Sequence, residues 1–303
     1  MIKATLQQLR LFDAVASHGS FTRAAEAIHL TQPAISIQIK RLEETLGTPL
    51  FEQMGKKIFL TAAGKELYAT CRDVFERLGA FEGKLDELRG EVAGPISLAA
   101  VTTAKYFLPH YLGAFLRRYP KVIPQLKVSN RARIIERMEA NADDIYILAT
   151  LPEHIDIESH PFLKDELMIF AHPRHKLAGR KSIPLERLLG ERFISREAGS
   201  GIRMTFERLL AEKELSMDPY MELGSGEAIK QAVMSGIGVA VLSTFSLKLE
   251  LESGHLVLLD VEGMPIRRNW FAVHRRGKHL APSALKFIEF LQTADISVLN
   301  NDL

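Results

Sequence analysis

The chain has 303 residues, of which 47% are hydrophobic and 25% charged, and its net charge is +2. That balance belongs to an ordinary globular protein of two or three domains. No apolar run approaches the roughly 20 residues that span a bilayer, and a single cysteine, Cys71, excludes an intrachain disulfide. Together with an N-terminus lacking the apolar core of a signal peptide, this sets the expectation of a reducing, cytoplasmic location with no membrane partner.

In chain order, Leu6, Leu9, Phe12, Val15 and Ala16 predict a first amphipathic helix. Ser20 is an N-cap for a second, which carries Phe21, Ala24, Ala25 and Ile28 on one face and ends at His29-Leu30. Thr31 caps a third. Pro33 is tolerated in its first turn, where the N–H has no intrahelical partner. Ile35, Ile39 and Leu42 form its apolar stripe, leaving Gln32, Ser36, Gln38 and Lys40 to face elsewhere. Such a pair is a helix-turn-helix, whose second helix can fill a DNA major groove, or else a hairpin from a helical bundle. Gln and Ser suit the first reading, because both donate and accept as base edges do. Residues 49–61 then predict a β-hairpin with a basic tip, Met54-Gly55-Lys56-Lys57, suited to phosphates. Residues 1–60 hold seven basic and five acidic side chains, so one head is weakly charged and binding depends on paired copies.

Residues 62–90 repeat an apolar pattern. Leu67, Cys71, Val74, Leu78, Phe81, Leu85 and Leu88 follow at spacings of 4, 3, 4, 3, 4 and 3. This heptad seam predicts a dimerising coiled coil, with a long helix lying on its own domain as the alternative. Gly90 and Gly94-Pro95 end it.

From Pro95 short strands alternate with helices. Strands are expected at 96–101, 125–129, 145–150, 167–172, 239–242, 257–259 and 270–274. Helices are expected at 106–119, 132–140, 204–212, 227–235, 244–251 and 283–292. The alternation predicts an α/β fold with a largely parallel sheet. Gly-Ser-Gly triplets at 199–201 and 224–226, each before a helix, favour two half-domains over one. Ligands of such sheets lie beyond the carboxyl ends of the strands. Those ends carry Thr102, Thr103, Ser129, Asn130, Thr150, Ser195, Arg196, Ser200, Gly201 and Ser225. Hydroxyls and free helix N–H groups suit an anion there, with Arg196 or Arg203 as the cation. Taken singly, each is as well explained as an N-cap.

The first sixty residues resemble the winged helix-turn-helix of LysR-type transcriptional regulators. The likeness rests on Phe21-Thr22-Arg23-Ala24-Ala25, Thr31-Gln32-Pro33-Ala34-Ile35-Ser36, Gln38-Ile39, Leu42-Glu43, Leu46-Gly47, Leu50-Phe51 and Leu60-Thr61 with Ala63-Gly64. It implies base contacts from Gln32, Pro33 and Ser36, supported by Gln38, Lys40 and the wing. The candidate DNA-contacting set is Ser20, Thr22, Arg23, Thr31, Gln32, Pro33, Ser36, Gln38, Lys40, Gln53, Lys56 and Lys57. The family commonly has Arg where this chain has Gln53, which passes the backbone contact to Lys56 or Lys57.

The resemblance also implies the architecture. It is α+β and multidomain: a winged helix-turn-helix at 1–61, a coiled-coil linker helix at 62–90, and an α/β effector domain like a periplasmic binding protein at 95–303. Two subdomains, 95–165 plus 265–303 and 166–264, flank a cleft, and the chain crosses between them twice. Family likeness adds weight to Thr102, Thr103, Ser129, Ser200 and Ile202 as cleft positions. The candidate effector set is Thr102, Thr103, Ser129, Asn130, Thr150, Arg196, Ser200, Gly201, Ile202, Arg203 and Ser225. Asp143-Asp144-Ile145-Tyr146-Ile147-Leu148, Pro152-Glu153 and residues 196–203 resemble the CbbR/CmpR-like subgroup, which regulates carbon-dioxide fixation and inorganic-carbon uptake. That implies a phosphorylated sugar or carboxylate as effector, with a regulator of another pathway as the alternative. The partners implied are an operator duplex, a dimer through the linker helix that assembles further to a tetramer, and RNA polymerase.

A small-molecule enzyme fused to such a head finds little support. No GxxxxGK[ST] or GxGxxG spacing occurs. His172 and His175 flank Pro173 and make a poor metal pair, and Asp143-Asp144 point to opposite faces if extended. Neither a metal nor a cofactor is expected.

Overall fold

The computed structural model describes residues 4–55, 57–88 and 92–294. Lys56 and Gly90 lie outside them, as do the side chains of Leu85 and Leu88. The chain forms two compact units that divide between Glu82 and Gly83.

In the first unit, α1 (Leu6–His18) opens on a capping box in which the Thr5 hydroxyl accepts from the Gln8 amide. Ser20 caps α2 (Phe21–Ala27) by accepting from the Arg23 N–H. His29, at φ +54°, turns the chain into α3 (Gln32–Leu46). Thr31 holds the N-cap position of α3, but its hydroxyl makes no capping bond, contrary to the expectation from sequence. Leu11, Phe12, Val15, Ala24, Ile35, Ile39 and Leu42 close the three-helix core; each large side chain contributes about 1.5–3 kcal/mol of burial. Strands β1 (Phe51–Met54) and β2 (Lys57–Leu60) form the antiparallel wing. Glu43 fixes where the wing leaves α3, since one carboxylate oxygen accepts from the N–H groups of Leu50 (2.7 Å) and Phe51 (3.3 Å).

Helix α4 (Ala62–Leu88) follows. The expected heptad seam is not one continuous surface. Leu67, Tyr68, Cys71 and Phe75 pack into the head's own core, and Cys71 is fully buried there. Farther along, Leu78 and Phe81 are exposed, Phe81 by 58%. The first half of the seam thus serves the head, while Leu78 and Phe81 are left without a cover in their own unit.

The second unit is built on one sheet, in which the described strands run β4-β3-β5-β11-β6-β9-β7-β8, with β10 beside β6. Its elements are β3 (Gly94–Val101), α5 (Leu108–Arg118), β4 (Val122–Ser129), α6 (Arg131–Glu139), β5 (Ile145–Leu148), β6 (Ile157–Ala171), α7 (Leu185–Leu189), β7 (Phe193–Arg196), α8 (Gly201–Glu212), β8 (Met221–Leu223), α9 (Gly226–Met234), β9 (Val239–Ser243), α10 (Lys248–Glu252), β10 (Val257–Leu258), β11 (Ile266–Arg275) and α11 (Pro282–Thr293). The sheet is mixed rather than largely parallel. β3, β4 and β5 are parallel, as are β7, β8 and β9, but β6 and β11 run antiparallel to each other and to their other partners. These two strands join the halves, and two joining strands must run in opposite senses if the chain crosses and returns. β6 is 15 residues long, against the six expected at 167–172, and it runs unbroken through 165/166. The expected helix at 244–251 is instead a 3₁₀ turn (Thr244–Ser246) followed by α10.

Separate apolar cores hold the halves. Phe107, Tyr111, Phe115, Trp270 and Phe287 anchor one, and Phe170, Phe193, Ile194, Phe206 and Ile229 anchor the other. The Asp143-Asp144 pair is structural. Asp143 takes both Nε and one terminal N–H of Arg137 at 2.7 Å, and Asp144 accepts from the N–H and hydroxyl of Ser97 at 2.7 Å. Among the described residues no helix is long and apolar enough to cross a membrane, and no group of His, Cys, Asp and Glu has metal-site geometry.

Candidate effector cleft and DNA-binding face

The carboxyl ends of β3, β5 and β7 and the start of α8 converge on a narrow cleft of about 30 Å³. Of the expected residues, Thr102, Thr103, Thr150, Arg196, Ser200, Gly201 and Ile202 line it. Their local chemistry suits an anion. Ser200 begins α8 without a side-chain capping bond, so first-turn N–H groups remain available. Arg196 is buried and oriented by its neighbour: Nε and one terminal N–H donate to Glu197 at 2.7 and 2.9 Å. The same arm reaches Thr102 Oγ1 at 3.5 Å, so the two halves touch across the cleft. Thr150 meets Gly201 likewise, its hydroxyl donating to the carbonyl at 3.4 Å.

Four expected residues stand outside the lining. Asn130 accepts from the Arg133 N–H as the N-cap of α6, and Ser225 accepts from the Ala228 N–H as the N-cap of α9. Ser129 ends β4 without entering the cleft wall. Arg203 is taken by Glu207 and Glu222, whose hydrogen bonds raise its pKa, and it donates to the Arg196 carbonyl at 3.2 Å. It therefore braces the end of β7 from outside.

Sequence reasoning missed Arg131, Arg268, Glu197 and Trp270, all in the lining. Arg131 opens α6, where a cation opposes the helix dipole, and that misfit was a readable signal of function. Burial lowers its pKa, and among the described residues no carboxylate pairs with it. Arg268 alternates with Trp270 along β11, so a charge faces inward beside an apolar ring. Its Nε donates to Asp165 at 2.7 Å, and Asp165 also accepts from Ser243 at 2.6 Å. Burial pushes the Arg268 pKa down, against the pull of Asp165. Three guanidinium groups against Glu197 and Asp165 leave the cleft positive.

On the first unit, Thr22, Arg23, Thr31, Gln32, Pro33 and Lys40 are exposed, with Ser36 and Gln38 partly so. Ser36, Lys40 and Gln53 line the groove between α3 and the wing. Gln32 donates to Ser36 at 2.9 Å, whereas Ser20 is occupied by its capping bond. Gln53 folds back to donate to the Gly55 carbonyl at 3.0 Å, and Lys57 is exposed beside it.

Comparisons with known proteins match both units of the chain. Residues 6–65 match the bacterial regulatory helix-turn-helix protein of the lysR family, and residues 89–295 match the LysR substrate binding domain. The chain is 44% identical to a RuBisCO operon transcriptional regulator of Acidithiobacillus ferrooxidans, over 96% of this chain and 94% of that one. It is 42% identical to the HTH-type transcriptional activator CmpR of a Synechocystis species, over 98% of each. The regulatory domain of Synechocystis CcmR, solved in complex with 2-PG, is 40% identical and superposes with a TM-score of 0.63, covering 69% of this chain and 98% of that domain. The chain belongs to the LysR family and is a DNA-binding transcriptional regulator, not an enzyme.

Proposed function

We propose that this regulator controls carbon-dioxide fixation or inorganic-carbon uptake genes and senses a small phosphorylated carboxylate, 2-phosphoglycolate being the first to test. The observation that carries this reading is the cleft itself, in which Arg131, Arg196 and Arg268 face the open N-terminus of α8. The 2-PG-bound relative supports it. Thr102, Thr103, Thr150, Ser200, Gly201 and Ile202 complete the effector site. Gln32, Pro33, Ser36, Gln38 and Lys40 read the operator, with Thr22, Arg23, Thr31, Gln53, Lys56 and Lys57 positioning the backbone.

In this reading the head spans 1–61, the dimerising helix 62–90 and the effector domain 95–303, and the protein works in the cytoplasm beside RNA polymerase. The exposed Leu78 and Phe81 supply the dimer contact. An effector that binds one geometry of the oligomer better than another shifts the spacing of the heads on DNA. The test is a thermal-shift titration of the full chain with 2-phosphoglycolate, followed by footprinting upstream of its carbon-fixation genes. Stabilisation together with an altered footprint is expected. Failure of every phosphorylated carboxylate to stabilise the protein overturns the reading.

A further inference from the structure

Trp270 is the chain's single tryptophan, lines the cleft and is fully buried. Its ring is held from two sides, by the edge of Phe107 at a centroid distance of 4.8 Å and by the Arg268 guanidinium 5.4 Å from the ring centre. The indole Nε1 is enclosed and has no hydrogen-bond acceptor. Among the described residues only Asp13 Oδ1 and Glu250 Oε2 share that condition, and neither of those residues is in the cleft lining. A buried donor without a partner is costly, and native structures keep few of them without a reason. An indole N–H only donates, so whatever completes it must present a lone pair.

We infer that Trp270 is a specificity-determining residue, whose N–H receives an acceptor oxygen of the effector. This rests on the proposed phosphorylated-carboxylate reading and sharpens it. Trp270 and Arg268 lie side by side on β11, whereas Ser200 and the α8 N-terminus belong to the other half. The cleft thus has two donor sets on two elements. A ligand with an anionic group at each end satisfies both, and inorganic phosphate satisfies one. Arg268 is already tethered through Nε to Asp165, so its remaining N–H groups and the indole act as a fixed pair.

The experiment uses the full chain in two arms. In the first, the Trp270 indole N–H resonance is followed in ¹⁵N-tryptophan-labelled protein during titration with 2-phosphoglycolate, inorganic phosphate and glycolate. The inference expects a marked shift and slowed solvent exchange with 2-phosphoglycolate, and little of either with phosphate. In the second, Trp270→Phe keeps an aromatic ring, though a smaller one, and deletes the donor. It should weaken 2-phosphoglycolate about tenfold while leaving the affinity measured for inorganic phosphate unchanged. The resonance arm needs no variant, so it decides even if Trp270→Phe folds poorly. Tight 2-phosphoglycolate binding with an unmoved indole signal, or an equal loss for both ligands, overturns the inference and spares the effector reading. Absence of any 2-phosphoglycolate binding to the wild type overturns both.

Discussion

Gln32 donates its side-chain amide to the Ser36 hydroxyl at 2.9 Å, across one turn of α3. The bond orients both groups before DNA arrives. The Gln32 carbonyl oxygen stays available as an acceptor and the Ser36 O–H as a donor, which is the mixed pattern base edges require. Gln32→Ala therefore removes a contact and also releases Ser36. Each single variant should weaken operator binding by about tenfold, and the double variant should lose less than the two combined, because the side chains act as a unit. Binding to a scrambled duplex should hardly change. Fluorescence anisotropy on the two duplexes checks this, and equal losses on both would remove α3 from base reading.

Much of this was legible in the sequence where one local pattern meets one physical demand. Ser20 capped its helix as expected, Ile35, Ile39 and Leu42 were buried, and α8 and α9 began within their Gly-Ser-Gly triplets. What was not legible depends on contacts distant in sequence. Nothing near Cys71 says that the head's core will enclose it, so a regular heptad spacing concealed a division of labour. β6 and β11 pair over about a hundred intervening residues, and that pairing brings Arg268 and Trp270 into the cleft. Asn130 and Ser225 make helix caps outside the cleft lining, and sequence alone does not separate the two roles because a helix cap and an anion site call for the same residue types.

The divided seam predicts two different failures along one helix. Leu78 is exposed in its own unit, so Leu78→Glu should leave the head folded and dissociate the dimer. Cys71 is fully buried in the head, and burial lifts its thiol pKa to about 11, which keeps it protonated and inert. Cys71→Ser places a hydroxyl in that core and should destabilise the head by about 1–3 kcal/mol with the dimer retained. Sedimentation velocity separates the two outcomes from thermal melting. An unchanged mass for Leu78→Glu would reject the linker contact.

Gly201 lets the halves of the effector domain approach. A Cβ there would lie 2.9 Å from Thr150 Oγ1 on the facing half. Its backbone is helical, so alanine favours the helix, and the cost falls on the Thr150 side chain, which must move aside. Gly201→Ala should therefore keep or raise the melting temperature of the free protein, yet weaken the effector several-fold by holding the cleft ajar. Isothermal titration alongside a melting curve reads both quantities. Unchanged affinity would mean that the Thr150–Gly201 contact is not closed further by the ligand.

His160 Nε2 lies 3.4 Å from His274 Nε2, on neighbouring strands β6 and β11. His274 Nδ1 is 3.1 Å from the Arg275 carbonyl, so that nitrogen carries a proton. With the Nδ1 proton directed at that carbonyl, Nε2 of His274 is the acceptor and His160 the donor of the pair. Burial, followed by the neighbouring His274, holds the His160 pKa below its ordinary 6.5, while Glu158 pulls it back up. His175 is lowered for the same first reason, against the opposing pull of Glu191. With the folded pKa depressed, the unfolded chain binds more protons in the window just below pH 6.5. Stability from these histidines is complete above that pH and is lost as pH falls through the window towards the folded pKa. His160→Gln keeps a donor to His274 and cannot titrate. Its melting temperature should fall less steeply than that of the wild type between pH 7 and pH 5.5, with His175 accounting for part of the remaining slope. Parallel slopes in differential scanning calorimetry would show that His160 titrates alike in the folded and unfolded chain.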